Sequence, residues 1–110
     1  MSGHRIDRIT EDVHRELTDI FRSLKDPRIS GMLSIVRVDV SSDLSVAKIF
    51  VSSVEGAENT KEAIKGLIAA SGFIRHELSA RLDIRHTPQL KFIADDSMEY
   101  SANISKLLNK

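Results

Sequence analysis

The apolar residues change period once, sharply, early in the chain. From Ile6 through Ile9, Val13, Leu17 and Ile20 to Leu24 they recur at steps of three and four, the single stripe of an amphipathic helix. Asp26-Pro27 then ends the helix, because the residue before a proline is pushed out of the helical region. Beyond it the period falls to two. Leu33 to Val40 alternates, which assigns Val36, Val38 and Val40 to one face and Arg37 and Asp39 to the other. Val46 to Val54 alternates again, with Ala47, Ile49 and Val51 set against Lys48, Phe50 and Ser52. Ser41-Ser42-Asp43 supplies the turn, so the two runs predict an antiparallel hairpin.

Helical spacing returns afterwards. Asn59, with Glu62 three residues on, predicts a helix start, and Ile64, Leu67 and Ile68 form its expected buried stripe. Ser71-Gly72 interrupts the pattern, which resumes with Phe73, Ile74, Leu78 and Leu82 as the expected inward residues. A glycine costs about 1 kcal/mol in a helix interior, so two helices meeting at a kink are expected rather than one. If Gly72 stands at positive φ, a valine there costs ~1–3 kcal/mol in backbone strain. Pro88 opens a third strand, Gln89 to Ala94, in which Leu90, Phe92 and Ala94 share a face. Asp95-Asp96-Ser97 breaks it, and residues 98–110 read as a short C-terminal helix or tail. The expected fold is a two-layer α+β single domain over residues 1–110, in the order α-β-β-α-kink-α-β. One face of its three-stranded sheet is covered by helices.

The 16 basic and 16 acidic residues cancel, yet their distribution is uneven. Residues 61–91 carry six cations (Lys61, Lys65, Arg75, Arg81, Arg85, Lys91) against Glu62, Glu77 and Asp83, and also hold His76 and His86. A locally basic face on a neutral protein follows. The longest apolar runs, such as Leu67-Ile68-Ala69-Ala70, are far too short to span a bilayer, so no membrane association is expected. Met1-Ser2-Gly3-His4-Arg5 has no apolar stretch behind it, which argues against a secretory signal and for a cytoplasmic address.

Chemistry-bearing motifs are missing. The absence of cysteine removes disulfides, thiolate catalysis and zinc ribbons. The five glycines are too far apart for a dinucleotide fingerprint, and no lysine stands at P-loop spacing. No two histidines stand at metal-pair spacing; a site joining His76, His86 and Asp95 is conceivable but favoured by nothing in the spacing. Asp95-Asp96 reads more simply as a strand terminator than as an acid–base pair. No catalytic residue, metal or cofactor is expected.

Ile64 to Leu82 has the shape of the core of a KH domain, where two helices meet at a glycine turn that clamps an RNA backbone. Ala70-Ser71-Gly72, an A-x-G kink, replaces the usual G-x-x-G. Taken with Lys25-Asp26-Pro27-Arg28-Ile29, with Val38 to Lys48 through the hairpin, and with Ile84-Arg85-His86-Thr87-Pro88-Gln89-Leu90-Lys91-Phe92, the chain resembles the bacterial ribosome-binding factor A family over nearly its whole length. The resemblance implies a type II KH-like fold and association with the free small (30S) ribosomal subunit. It also implies a role in late folding and processing of the 16S rRNA, linked to growth in the cold. Gln89 departs from the acidic residue expected after the proline, and the family's long C-terminal tail is nearly absent.

On that reading the expected RNA-contacting residues are Ser71, Gly72, Arg75, His76, Arg81, Arg85 and Lys91, on a protein acting as a monomer. Periodicity alone leaves the arginines evenly balanced between phosphate contact and solvated pairing with Glu77 and Asp83. Gly72 either admits a phosphate to the backbone or permits helix packing. Phe50 could stack a base on the bare sheet face. Arg5, Arg8 and Arg28 are weaker candidates. Two rival readings remain: a protein–protein adaptor using the uncovered sheet face, and a small hydrolase.

Overall fold

The middle strand of the sheet is β2 (Val46–Ser53), flanked by β1 (Leu33–Val40) and β3 (Gln89–Ala94). The computed structural model describes residues 2–29, 33–82 and 87–95, with side chains described from Ile6 onward. The expected helix or tail at residues 98–110 lies outside the described residues, as do Arg85 and His86. β1 and β2 pair antiparallel through the short connection at 41–45. β2 and β3 run parallel, because a crossover of two helices, α2 (Ala57–Ala69) and α3 (Ser71–Leu82), joins them. With α1 (Ser2–Ser23), these helices form one layer over one sheet face, the two-layer α+β arrangement that the alternation of periods predicts.

The α1 stripe is buried as its spacing requires: Val13, Leu17 and Ile20 are fully enclosed, with Ile9 and Leu24 packed at the margin. They meet Val38, Val40, Ala47, Ile49, Val51 and Leu90 from the sheet, and Leu67, Ile74 and Leu78 from the crossover helices. Phe92 joins them through a tilted contact with Phe21, ring centres 6.3 Å apart.

Three expectations about side-chain direction are overturned. In β1 the register shifts between Ile35, opposite Val51, and Arg37, opposite Phe50, so Val36 is the extra residue of a β-bulge. Ile35 therefore packs against the core while Val36 stands 40% exposed, and only Val38 and Val40 keep the predicted inward face. Ile68 and Phe73, expected inside, are 59% and 52% exposed. They flank Ala70, where the helix axis changes direction and the inward stripe turns away from both. Ala63 and Thr60 take the buried positions on α2 beside Leu67.

The helix starts also differ. α2 begins two residues before Asn59, and its cap is Gly56 at φ 113°, a left-handed conformation that suits glycine. Asn59 instead ties the preceding turn, donating to Ser53 Oγ at 3.2 Å and to the Glu55 carboxylate. Thr60 Oγ1 accepts from the Ser53 amide at 2.9 Å and donates to the Gly56 carbonyl at 3.1 Å. At the kink the turning residue is Ala70, with φ −94° and ψ 6°. Gly72 is not among the positive-φ residues, so the condition for a strained valine is not met.

Gly66, which the apolar pattern passes over, is the closely packed one of the described glycines Gly56, Gly66 and Gly72. It is buried on α2, and a Cβ there would stand 3.0 Å from Ile29 Cγ1 and 3.1 Å from Asp26 Oδ2. The turn at 26–29 that fills this space is self-bracing. The Asp26 carboxylate accepts from the Arg28 amide at 2.8 Å and from its guanidinium Nη2 at 2.7 Å, while Ile29 N donates to the Asp26 carbonyl at 2.9 Å. The Arg28 side chain and amide together hold the Asp26 carboxyl below its usual range.

Gly66→Val should destabilise the fold by about 1–3 kcal/mol through overpacking against Ile29 and Asp26. Urea denaturation checks this, and an unchanged midpoint would show that the turn yields freely. The hairpin connection predicts an acid response. Asp43 accepts from the Ser45 hydroxyl at 2.7 Å and the Ser41 hydroxyl at 2.8 Å, which lowers its carboxyl to about 2. Its folded value lies below the unfolded value of roughly 3.9, so its stabilisation is present above the unfolded value and is lost as pH falls toward 2. Thermal melts between pH 5 and pH 2 should show a shallower acid loss in Asp43→Asn than in the wild type.

Candidate nucleic-acid interface

The residues expected to touch RNA fall in separate places. Ser71, Gly72, Arg75 and His76 lie together on the first turns of α3, beside the Ala70 joint, with Gly72, Arg75 and His76 exposed. Arg81 lies two turns further on, at the packed interface with α1. Lys91 is on the opposite side of the molecule, on the sheet face away from the helices: it alternates with buried Leu90 and half-buried Phe92. Arg85 lies outside the described residues.

The joint is built by two short hydrogen-bonded steps. Ala70 N donates to the Gly66 carbonyl at 3.0 Å as the last turn of α2, and Ile74 N donates to the Ala70 carbonyl at 2.9 Å as the first turn of α3. Ile74 and Leu78 anchor α3 in the core, which leaves Gly72 and His76 on its outward side. Around Gly72 the space is open: beyond its own helix, no atom lies within 4 Å of where a Cβ would stand. This glycine serves neither an unusual backbone angle nor a close internal contact, yet it costs helix stability. What it leaves is bare backbone at the surface. Exposed Phe73 stands next to it, a ring that the apolar spacing places inside.

Arg75 is part of the frame as well as the surface. Its Nη2 donates to the Thr87 carbonyl at 3.0 Å and so fixes the approach to β3, while the side chain remains exposed.

Arg81 is committed elsewhere. Its guanidinium binds the Asp19 carboxylate and lies 3.5 Å from Glu16 Oε1, both on α1, and 3.7 Å from Glu77 Oε1. The hydrogen bond it donates to Asp19 raises the Arg81 pKa and lowers that of Asp19. Arg15 pairs within α1 instead, with Asp12 at 3.0 Å and Glu16 at 3.3 Å. The acidic side of α1 is thus partly an inter-helix seam.

Sequence reasoning misses the aromatic–cation pair on the outer sheet face, where the Arg37 guanidinium carbon lies 4.2 Å above the Phe50 ring centre. The alternation puts both residues on the outward face, but nothing in the sequence sets the register that makes them direct neighbours. Among the described residues no group of three His, Asp or Glu side chains converges as a metal site, and no helix is long and apolar enough to cross a membrane.

A family model for ribosome-binding factor A matches residues 5–108. The chain is 44% identical over 107 residues to ribosome-binding factor A of Acetivibrio thermocellus, covering 96% of this chain and 87% of that one. The crystal structure of ribosome-binding factor A from Thermus thermophilus superposes with a TM-score of 0.72 at 26% identity, over 81% of this chain and 93% of the other. The Thermus thermophilus factor as fitted into a cryo-electron-microscopy map of its complex with the 30S subunit gives a TM-score of 0.69 at the same 26% identity and the same coverage.

Arg81→Ala should lower the melting temperature by releasing α3 from α1. Because the Asp19 side chain is 62% exposed, the deficit should shrink as salt is raised from low to molar concentration. A melting temperature equal to wild type at low salt would show that the seam is held by apolar packing alone.

Proposed function

This chain belongs to the ribosome-binding factor A family, and from that premise we propose that it binds the free small ribosomal subunit through the α2–α3 joint. On this reading its ligand is the 16S rRNA, whose late folding and processing it assists in the cytoplasm, as a monomer, in a role linked to growth in the cold. It acts stoichiometrically and not as an enzyme. The fitted 30S complex of the Thermus thermophilus factor supports the choice of partner.

The single observation that carries the placement is Gly72. A helical glycine of ordinary φ with empty space in front of it contributes nothing to the fold. It allows an external backbone to approach α3 more closely than any side chain would permit, as a phosphodiester must in order to meet main-chain N–H groups. Ser71 adds a hydroxyl beside it, Arg75 and His76 line the next turn as donors, and the Phe73 ring offers a stacking surface for an unpaired base. Arg81, occupied by Glu16 and Asp19, is left out of this contact set.

Gly72→Leu separates folding from binding because the two effects have opposite signs. Leucine is the better helix former, so the variant should be more stable than wild type by about 0.4–1 kcal/mol. It should nevertheless lose co-sedimentation with free small subunits, by tenfold or more in affinity. A variant that is stabilised and still binds like wild type would remove the joint from the interface. If association survives ribonuclease digestion of the subunit, the contact is with protein, and the adaptor reading replaces this one.

A further inference from the structure

The side of the sheet turned away from the helices carries Arg37 and Asp39 from β1, Lys48 and Phe50 from β2, and Gln89, Lys91 and Ile93 from β3. The register sets six of them in two rows, Asp39, Lys48 and Lys91 across one and Arg37, Phe50 and Ile93 across the next, with Gln89 beside Val46. We propose that this face is a second RNA-contact surface, which holds a single-stranded stretch by stacking on the Arg37–Phe50 pair and by phosphate contacts to Lys48 and Lys91.

Three observations carry the proposal. Lys48 and Lys91 are direct neighbours on adjacent strands, both exposed, and neither is in an ion pair among the described residues. Like charges directly opposite one another on a sheet are destabilising, and an anion placed between them removes that cost. Next, among the described residues the two rows hold three cations against the carboxylate of Asp39, with Asp95 following just past the end of β3, in a chain whose total charge is zero. Finally, the Val36 bulge sends Arg37 to this side. Strict alternation after inward-packed Ile35 would have pointed Arg37 into the core; the extra residue places its guanidinium 4.2 Å above the Phe50 ring. The product is a cationic, aromatic face. Planar stacking surfaces flanked by point charges suit bases on a phosphate backbone better than they suit an acidic peptide, which offers no rings to stack.

This inference takes its cellular target from the small-subunit reading above, but its chemistry is independent of the α2–α3 joint. The probe is a mixed-sequence single-stranded RNA of about ten nucleotides, titrated at several salt concentrations. Lys48→Gln with Lys91→Gln should make the log–log salt slope shallower by about 1.4, the value for two phosphate contacts to a single strand. Phe50→Leu should weaken binding about five-fold or more while leaving the slope unchanged, because stacking releases no counterions. Melting temperatures of both variants establish that they are folded, and the lysine pair reads the face without touching the half-buried ring. Wild-type affinity and slope in the folded lysine double variant would overturn the proposal. So would a variant that binds the RNA normally but no longer co-sediments with small subunits, because the face would then contact ribosomal protein. Gly72→Leu run in parallel keeps the two readings apart: loss there alone leaves only the joint, and loss in the sheet variants alone leaves only this face.

Discussion

The seat of Ile29 on Gly66 fixes the relation between the two halves of the fold. A three-stranded sheet with one covered face needs its helices at a defined height, and the turn that follows α1 meets α2 directly at this contact. Asp26 and Arg28 brace that turn internally. Ile29 then reaches a helix backbone that has no Cβ to hold it off. Any larger residue at Gly66 would lift α2 from the turn, and α2 ends one turn later at the Ala70 joint. The joint therefore stands one turn beyond this contact, on the same face of the helix.

This arrangement gives two glycines of the crossover opposite meanings. Gly66 is enclosed, and its missing side chain is filled by the protein itself; Gly72 is open, and its missing side chain is filled by nothing in the molecule. Both stand in helices, where glycine costs about 1 kcal/mol relative to alanine. The first cost is offset by packing. The second meets no such packing, and this contrast is what the proposed contact at the joint rests on.

Elements whose burial is periodic are legible in the sequence, and those set by non-local packing are not. The α1 stripe and the inward set of β2 follow directly from steps of three to four and of two, and burial agrees at Val13, Leu17, Ile20, Ala47, Ile49 and Val51. Strict alternation misreads β1 because Ile35 and Val36 are both apolar and β-branched, so nothing local shows which one is the extra residue. It is the continuing apolar count that assigns Ile68 and Phe73 inward, whereas the buried face rotates at Ala70. Arg81 reads as a surface cation because its partners, Glu16 and Asp19, lie more than sixty positions away. Lys91 falls with the α3 residues by its place in the basic segment, and the strand alternation sends it to the far side of the sheet.

Electrical neutrality of the whole chain is no obstacle to binding a polyanion, because the charges are sorted by place. At physiological ionic strength the screening length is about 8 Å, so a phosphate responds to the few groups nearest it and hardly to the total. Asp26 neutralises Arg28, Glu62 neutralises Lys65, and the acidic residues of α1 take up Arg81. These pairs tie turns and helices together and leave little field outside. In the two paired rows of the outer sheet Arg37, Lys48 and Lys91 stand against Asp39, so cations outnumber carboxylates there although the sum over the chain is zero. Because that face is built of main-chain-paired strands, the backbone holds Arg37, Lys48 and Lys91 in register, and among the described residues Lys48 and Lys91 are in no ion pair that an approaching phosphate must displace.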